Sequence, residues 1–430
     1  MQQDAVENAA PAMTLVSERS ARQADAKVMA LIGFAHGVSH FFHLIVAPLF
    51  FWLGRDFSLS NAQLGLLMSG FFIVSGVGQF FAGFVVDKFG ARRVLFFGLS
   101  CFFVAALGLA NAQNAAMLMV FTCLAGLGNS VFHPVDYAVL NARVSAARIG
   151  YAYSVHGITG NIGWAAAPVV LAGLAANFGW RSAFYGAAAI AFSAIVLIFI
   201  NRHLVDDSVS PILKPAQKTS DVPTPTESTF AFMRLPSVWI CMAFLFVTTM
   251  ALGAMQSFGG PAVQALYAGD GAPQWIAVGA VTIYMLAGAV GLIAGGYLVS
   301  NLIGKAGPET LIAVSLGFAA LCALVVASGA VPVALLPLAI ATIGLAVGIA
   351  GPSRDMLIRS VTPKGATGRV YGVVYSGLDA GLAVAPFVFG VMMDKQQYGR
   401  LFVGMAVALL AALVLSLLVS AYAKRQGKLV

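Results

Sequence analysis

The chain has 430 residues, 60% of them apolar and only 9% charged, with a formal net charge of +8. A soluble domain carries roughly 25% charged residues, and one of this length could not cover its surface with so few. The solvent is therefore lipid as well as water.

Residues 1–27 are polar and mixed in charge, and the first apolar run has no small-residue cleavage site after it, so a tail rather than a signal peptide is expected. A span needs roughly 20 mostly apolar residues. Runs at 28–53, 62–86, 94–112, 115–140, 149–176, 182–202, 237–266, 275–300, 309–330, 332–358, 369–393 and 400–422 meet that length. Barrel strands need only about 10 residues, so these runs predict an all-α integral membrane protein of about twelve helices. The 203–236 connection holds five prolines among Ser, Thr and Lys and predicts a flexible linker between two six-helix bundles, 28–202 and 237–422. Residues 423–430 form a second tail. Cys101, Cys123, Cys241 and Cys322 all lie in apolar runs and read as buried hydrophobes rather than metal or disulfide ligands.

With the N-terminus inside, 19 of the 24 Lys and Arg residues fall in inner segments and 4 in outer loops, with Arg354 inside a span. This bias predicts an N-in, C-in orientation. It also accounts for the basic balance without nucleic acid.

The halves repeat. At a shift of 218 residues Gly126 meets Gly344, Pro134 meets Pro352, Gly150 meets Gly368, Gly163 meets Gly381 and Pro168 meets Pro386. At 213, Pro48 meets Pro261 and Gly83 meets Gly296. Parallel repeats around a central site are a recurring plan in membrane transport.

The loop after span 2 reads Gly83-Phe84-Val85-Val86-Asp87-Lys88-Phe89-Gly90-Ala91-Arg92-Arg93. It resembles the loop signature of the major facilitator superfamily, at the place where that family carries it. Gly179-Trp180-Arg181-Ser182-Ala183-Phe184 and the echo at Tyr398-Gly399-Arg400-Leu401-Phe402 are similar to the same family. The resemblance covers residues 28–422. Gly83 and Gly90 permit close helix approach and a tight turn. Asp87 offers an acceptor to helix ends, and Lys88, Arg92 and Arg93 tie the loop to acidic groups or lipid headgroups. Together they read as a gating loop, or else as a basic inner loop and no more. The second-half copy has Ser300 in place of Asp87.

Within spans 4 and 5, Gly126-Leu127-Gly128-Asn129-Ser130-Val131-Phe132-His133-Pro134, Gly150-Tyr151-Ala152-Tyr153-Ser154 and Gly160-Asn161-Ile162-Gly163 resemble the fosmidomycin-resistance branch of drug exporters, as does His40-Phe41. That branch's acidic residue near Leu44 is absent. Thr122 stands about where the superfamily has an arginine, and Ala167-Pro168 only approximates its glycine-proline pair. The resemblance implies drug/proton exchange and a cavity lined by spans 1, 4, 7 and 10.

Ionisable residues within spans are costly and read as functional by default. They are His36, His40, His43, His133, His156, Asp136, Arg354, Asp355 and Asp379. His36, His40 and His43 fall within about 60° on one helix face. His133 and Asp136 share a face of span 4, and His36 and His133 lie at a similar depth, roughly 15 Å in. The shift of 218 sets Asp136 opposite Arg354, so an ion pair closing an inner gate is one expectation; pairing of Arg354 with Asp355 is the other. His40 and His43 suit proton or solute contact, because imidazole titrates near neutral pH; a neutral histidine bonded to a neighbour is the alternative. His43 matches Gln256 at the 213 shift. Asp379 matches Asn161 and reads as a coupling carboxylate or a structural hydrogen-bond partner. A metal site is not expected, since His36 and His43 on one helix stand about 10 Å apart. Phe41, Phe42, Trp52, Tyr137, Trp164 and Tyr375 read first as lipid-facing or packing residues, with lining of the cavity as the alternative.

No G-x-x-x-x-G-K-[ST] or H-E-x-x-H pattern occurs, so neither ATP hydrolysis nor intramembrane metal hydrolysis is expected, and no cofactor. The expectation is a secondary active transporter, not an enzyme. It would be a monomer in the inner (plasma) membrane, moving a small solute with protons. Export of a drug-like compound is the first reading and uptake of a small organic anion, suited by Arg354, the second.

Overall fold

A computed structural model describes residues 2–145, 148–205, 231–302, 307–361 and 367–426. Most of the expected linker, the loop carrying Lys305 and the side chain of Ser300 lie outside the described residues. Among those described there are helices and no strand. The spans are α1 (Ala21–His43 with Ala47–Phe57), α2 (Asn61–Phe89), α3 (Ala91–Ala110), α4 (Ala115–Arg143), α5 (Ile149–Phe178), α6 (Trp180–Ile200), α7 (Pro236–Leu266), α8 (Ile276–Leu302), α9 (Pro308–Ala327), α10 (Val333–Val361), α11 (Thr367–Asp394) and α12 (Tyr398–Arg425). Eleven are each long and apolar enough to cross a membrane; α1 becomes the twelfth if its two pieces, bent by 41°, count as one span. The protein is therefore a multi-pass membrane protein.

The bend has a local cause. Pro48 has no N–H to give, and the chain tightens into a short 3-10 turn at Ala47–Leu49. The matching stretch of α7 is a π-helical turn at Met255–Gly259, with Pro261 just beyond it. Both departures from α geometry therefore sit where the 213 shift pairs His43 with Gln256. α4 is also interrupted, between Asn129 and Phe132, just ahead of His133 and Pro134.

Helix packing repeats as the sequence does. A methyl group on Gly126 would collide with the carbonyl oxygen of Phe71, and one on Gly344 with that of Tyr284. Phe71 and Tyr284 are themselves 213 apart, so α4 crosses α2 as α10 crosses α8. Gly163 against Gly37 and Gly381 against Phe246 repeat the α5–α1 crossing as α11–α7. The backbones approach this closely because glycine has no Cβ.

The two halves meet along α2 with α11, α5 with α8, and the turns of α1 and α7. The named contacts run from the middle of the helices to one end, here the far end. Thr282 Oγ1 donates to the carbonyl of Ala165 at 2.8 Å. Phe50 and Phe258 lie 5.2 Å apart. Asp394 accepts from the Asn61 backbone N–H at 2.7 Å. The opposite, basic end holds the signature loop. There Gly90 takes φ +85°, which only glycine adopts freely, and turns α2 into α3. Gly179, at φ +84°, makes the same turn between α5 and α6. Gly83 has open space where a Cβ would lie, and Asp87, Lys88 and Arg93 are exposed. The close approach expected at Gly83 is therefore not made in this conformation, because the halves are joined at the far end instead.

Candidate functional site

Helix α1 turns its three histidines toward α4 and α5. His36 Nδ1 lies 3.0 Å from Asp136 Oδ2, and His156 Nε2 lies 3.1 Å from the same oxygen. The two rings stack at 3.4 Å between centroids. Asp136 is wholly buried, and both of these partners are imidazoles. An isolated carboxylate could not be held in such a place; two N–H donors on one oxygen are what make it tenable.

Glycines on α5 make the room. A Cβ on Gly160 would lie 2.7 Å from the His40 ring and 3.1 Å from His36 Nε2. His40 packs 4.3 Å from His36, 4.7 Å from His43 and 4.1 Å from Trp164, centroid to centroid. It is 8% exposed, and neither of its ring nitrogens has a hydrogen-bond partner among the described residues.

His43 differs. Its Nε2–H donates to Asn129 Oδ1 at 3.0 Å, and its Nδ1 accepts from Trp164 Nε1–H at 3.2 Å. Asn129 also accepts from Ser39 Oγ at 2.6 Å and donates to Ser75 Oγ at 2.8 Å. Both nitrogens of His43 are thus engaged, which is the geometry of a neutral histidine bonded to its neighbours.

On α4, His133 Nδ1 lies 3.1 Å from Gln79 Oε1, and Gln79 Nε2–H donates to Asp379 Oδ2 at 3.2 Å. The carboxylate can only accept, so it sets the orientation of the Gln79 amide. With Asp379 ionised, the amide oxygen faces His133, and His133 Nδ1–H then donates to it. This chain, Asp379 to Gln79 to His133, crosses from α11 in one half to α4 in the other. Gly76 on α2 lies against Asp379 and lets it approach.

Arg354 and Asp355 pair with each other and with Tyr375 rather than with the histidines. Arg354 Nε donates to Asp355 Oδ1 at 2.9 Å, and Tyr375 Oη donates to the same oxygen at 3.4 Å. In this conformation Arg354 makes the alternative pair, with Asp355, and not the inner-gate pair with Asp136. The adjacent carboxylate is nearer to Arg354, and two histidines hold Asp136. Tyr137, next in the chain after Asp136, packs against the His156 ring at 5.1 Å between centroids, the planes tilted by 38°. Gln256 is buried in the π turn of α7 with neither amide atom bonded.

The structure thus brings His36, His40, His43, His133 and Asp136 into one cluster and attaches Asp379 to it. Gln79 was given no role from sequence, Asn129 entered only as part of a family motif, Trp164 only as a packing residue, and His156 only as one ionisable group among several. His156 carried a signal, as one of five histidines within spans. Gln79 carried little beyond being polar in a run of Phe, Ala and Gly.

The model of the Major Facilitator Superfamily matches residues 29–386. Similar proteins include the Multidrug resistance protein B homolog of Mycobacterium tuberculosis, 29% identical over 145 residues, 34% of this chain and 27% of that protein. The Fosmidomycin resistance protein of Escherichia coli is 27% identical over 176 residues, 41% of this chain and 43% of that one. The Probable 4-methylmuconolactone transporter of Cupriavidus pinatubonensis is 29% identical over 165 residues, 36% of this chain and 37% of that protein. The chain spans between about a quarter and two fifths of the length of these relatives.

Proposed function

The chain belongs to the Major Facilitator Superfamily, and from that premise we propose that it is a secondary transporter, not an enzyme, moving a small solute by alternating access with protons as the coupled ion. The single observation that carries the proton half is the Asp379–Gln79–His133 chain. A group that drives alternating access must interact differently in the two states. Asp379 stands on α11 and His133 on α4, so their link through Gln79 lasts only while the halves are joined at mid-helix. Proton loading of the chain or of the cluster behind it would bias the two states.

The basic end faces the cytoplasm in this reading, by the Lys and Arg bias. The conformation is then closed outside, and the membrane is the plasma membrane. The names of the multidrug and fosmidomycin relatives support export of a drug-like compound. A small organic anion is the second reading, favoured by Arg354 and by the relative named for 4-methylmuconolactone. In either case the protein would work as a monomer.

The test is solute flux in proteoliposomes under an imposed pH gradient. Asp379→Asn and His133→Gln are expected to abolish pH-driven accumulation and to preserve exchange at equal pH. Undiminished accumulation in both variants would remove the chain from the mechanism.

A further inference from the structure

Sequence spacing argued against a metal site because His36 and His43 are too far apart on one helix. The structure replaces His43 with a ligand from another helix. One donor atom from each of His36, His40 and His133 lies within 4.8 Å of the other two. We propose that these three imidazoles form a binding site for one divalent transition-metal ion of the zinc, cobalt and nickel class.

The protonation pattern fits that use. His36 commits Nδ1 to Asp136, and His133 commits Nδ1 to the Gln79 oxygen. Each ring is thereby left with a lone pair on Nε2. His40 has no hydrogen-bond partner on either nitrogen among the described residues although it is nine-tenths buried. A ligand histidine ordinarily gives its other N–H to a carboxylate or carbonyl, which fixes the tautomer and raises ring basicity. Asp136 and Gln79 stand in that position for His36 and His133. Imidazole nitrogens suit zinc, nickel and copper more than magnesium or calcium. Zinc–nitrogen bonds are about 2.0–2.1 Å, so the rings must close in by small rotations. The lack of a side chain at Gly160 is what lets the His36 and His40 rings lie there. His133 is only half-buried and provides the approach. The fourth position is left to water.

A second grouping, His36 with Asp136 and His156, is also compact. There His36 Nδ1 and His156 Nε2 are both engaged with Asp136 Oδ2, so an ion held by these nitrogens would have to break those bonds, although Asp136 Oδ1 has no partner among the described residues. The first set has free lone pairs and is preferred.

The site does not depend on what the protein carries, and its test needs no transport. Tag-free, metal-stripped protein in detergent is titrated with Co2+, with visible absorption reporting tetrahedral coordination, and then with Zn2+ as competitor. One tetrahedral Co2+ per chain is expected. His40→Asn and His133→Gln should each weaken binding about 100-fold or more, and Asp136→Asn about 10- to 100-fold as an orienting group. His43→Gln and His156→Gln should change it less than about tenfold, as neither supplies a ligand. His133→Gln decides the matter if the buried His40 variant fails to fold. Absence of a tetrahedral band in the unaltered protein would overturn the site. So would full binding by His133→Gln, or loss confined to His156→Gln. Loss of pH-driven flux with Co2+ binding intact, or the reverse, separates this site from the transport reading.

Discussion

Asp394, the last residue of α11, holds the first turn of α2. Its Oδ1 accepts the backbone N–H of Asn61 at 2.7 Å and that residue's Nδ2 at 3.0 Å, and its Oδ2 accepts the backbone N–H of Ala62 at 2.9 Å. A helix start has unpaired N–H groups and a partial positive charge. Here α11 of one half supplies the capping carboxylate to α2 of the other. Ser60 and Gln63 complete the cap within α2 itself.

Asp394→Ala should therefore loosen the far end. Hydrogen bonds to charged groups contribute about 1.5–3 kcal/mol each at best, and less where water reaches them, so a shift of about tenfold toward opening is expected. A cysteine placed at Phe258, which is buried against Phe50, reports it through labelling by a membrane-impermeant maleimide. Labelling equal to that in the Asp394-bearing parent would mean that the cap does not hold the end shut.

Glycine positions divide by what faces them. Gly126→Ala and Gly344→Ala each press a methyl onto a backbone carbonyl and should destabilise the fold by about 1–3 kcal/mol. Gly83→Ala meets open space in this conformation and should leave the melting temperature in detergent nearly unchanged. An equal drop for all three would sink the account of close crossings.

Asn129→Leu removes the partner of His43, Ser39 and Ser75 together. Leaving a buried polar group unsatisfied costs about 1–3 kcal/mol, so a large fall in melting temperature is expected. His43→Gln should keep the pH dependence of flux, because the neutral imidazole has both nitrogens engaged. A changed pH profile in His43→Gln would return His43 to the coupling machinery.

Gln79→Leu cuts the link between Asp379 and His133 and retains both. Under the proton reading, pH-driven flux falls at least about tenfold, equivalent to roughly 1.4 kcal/mol on the driven step, and counterflow continues. A drop in both by the same factor would mark Gln79 as a packing residue only.

Arg354→Gln separates the two solute readings. Loss of solute binding in a thermal-shift screen favours an anionic solute, whereas intact binding with slow cycling favours a gating role for the Arg354–Asp355 pair.

Composition and run length alone determined that the chain lives in a bilayer and crosses it about twelve times, because no other solvent accommodates 60% apolar residues in runs of about 20. Glycine and proline spacing carried the repeat as well, since the crossings of α4 over α2 and of α10 over α8 need a residue without a side chain at one depth. The histidines of α1 were legible as one face of a helix. Their partners were not: the bonds from His156 to Asp136, from Asn129 to His43 and from Gln79 to Asp379 join residues far apart in the chain, and helical periodicity says nothing about which face meets which. Pseudo-symmetry suggested Arg354 for Asp136 at a closed inner gate, but which side chains lie within reach in a given conformation is set by the tertiary structure, and in this one Asp136 meets two imidazoles. The cap by Asp394 was hidden for the same reason, as it exists only where two halves of the fold touch.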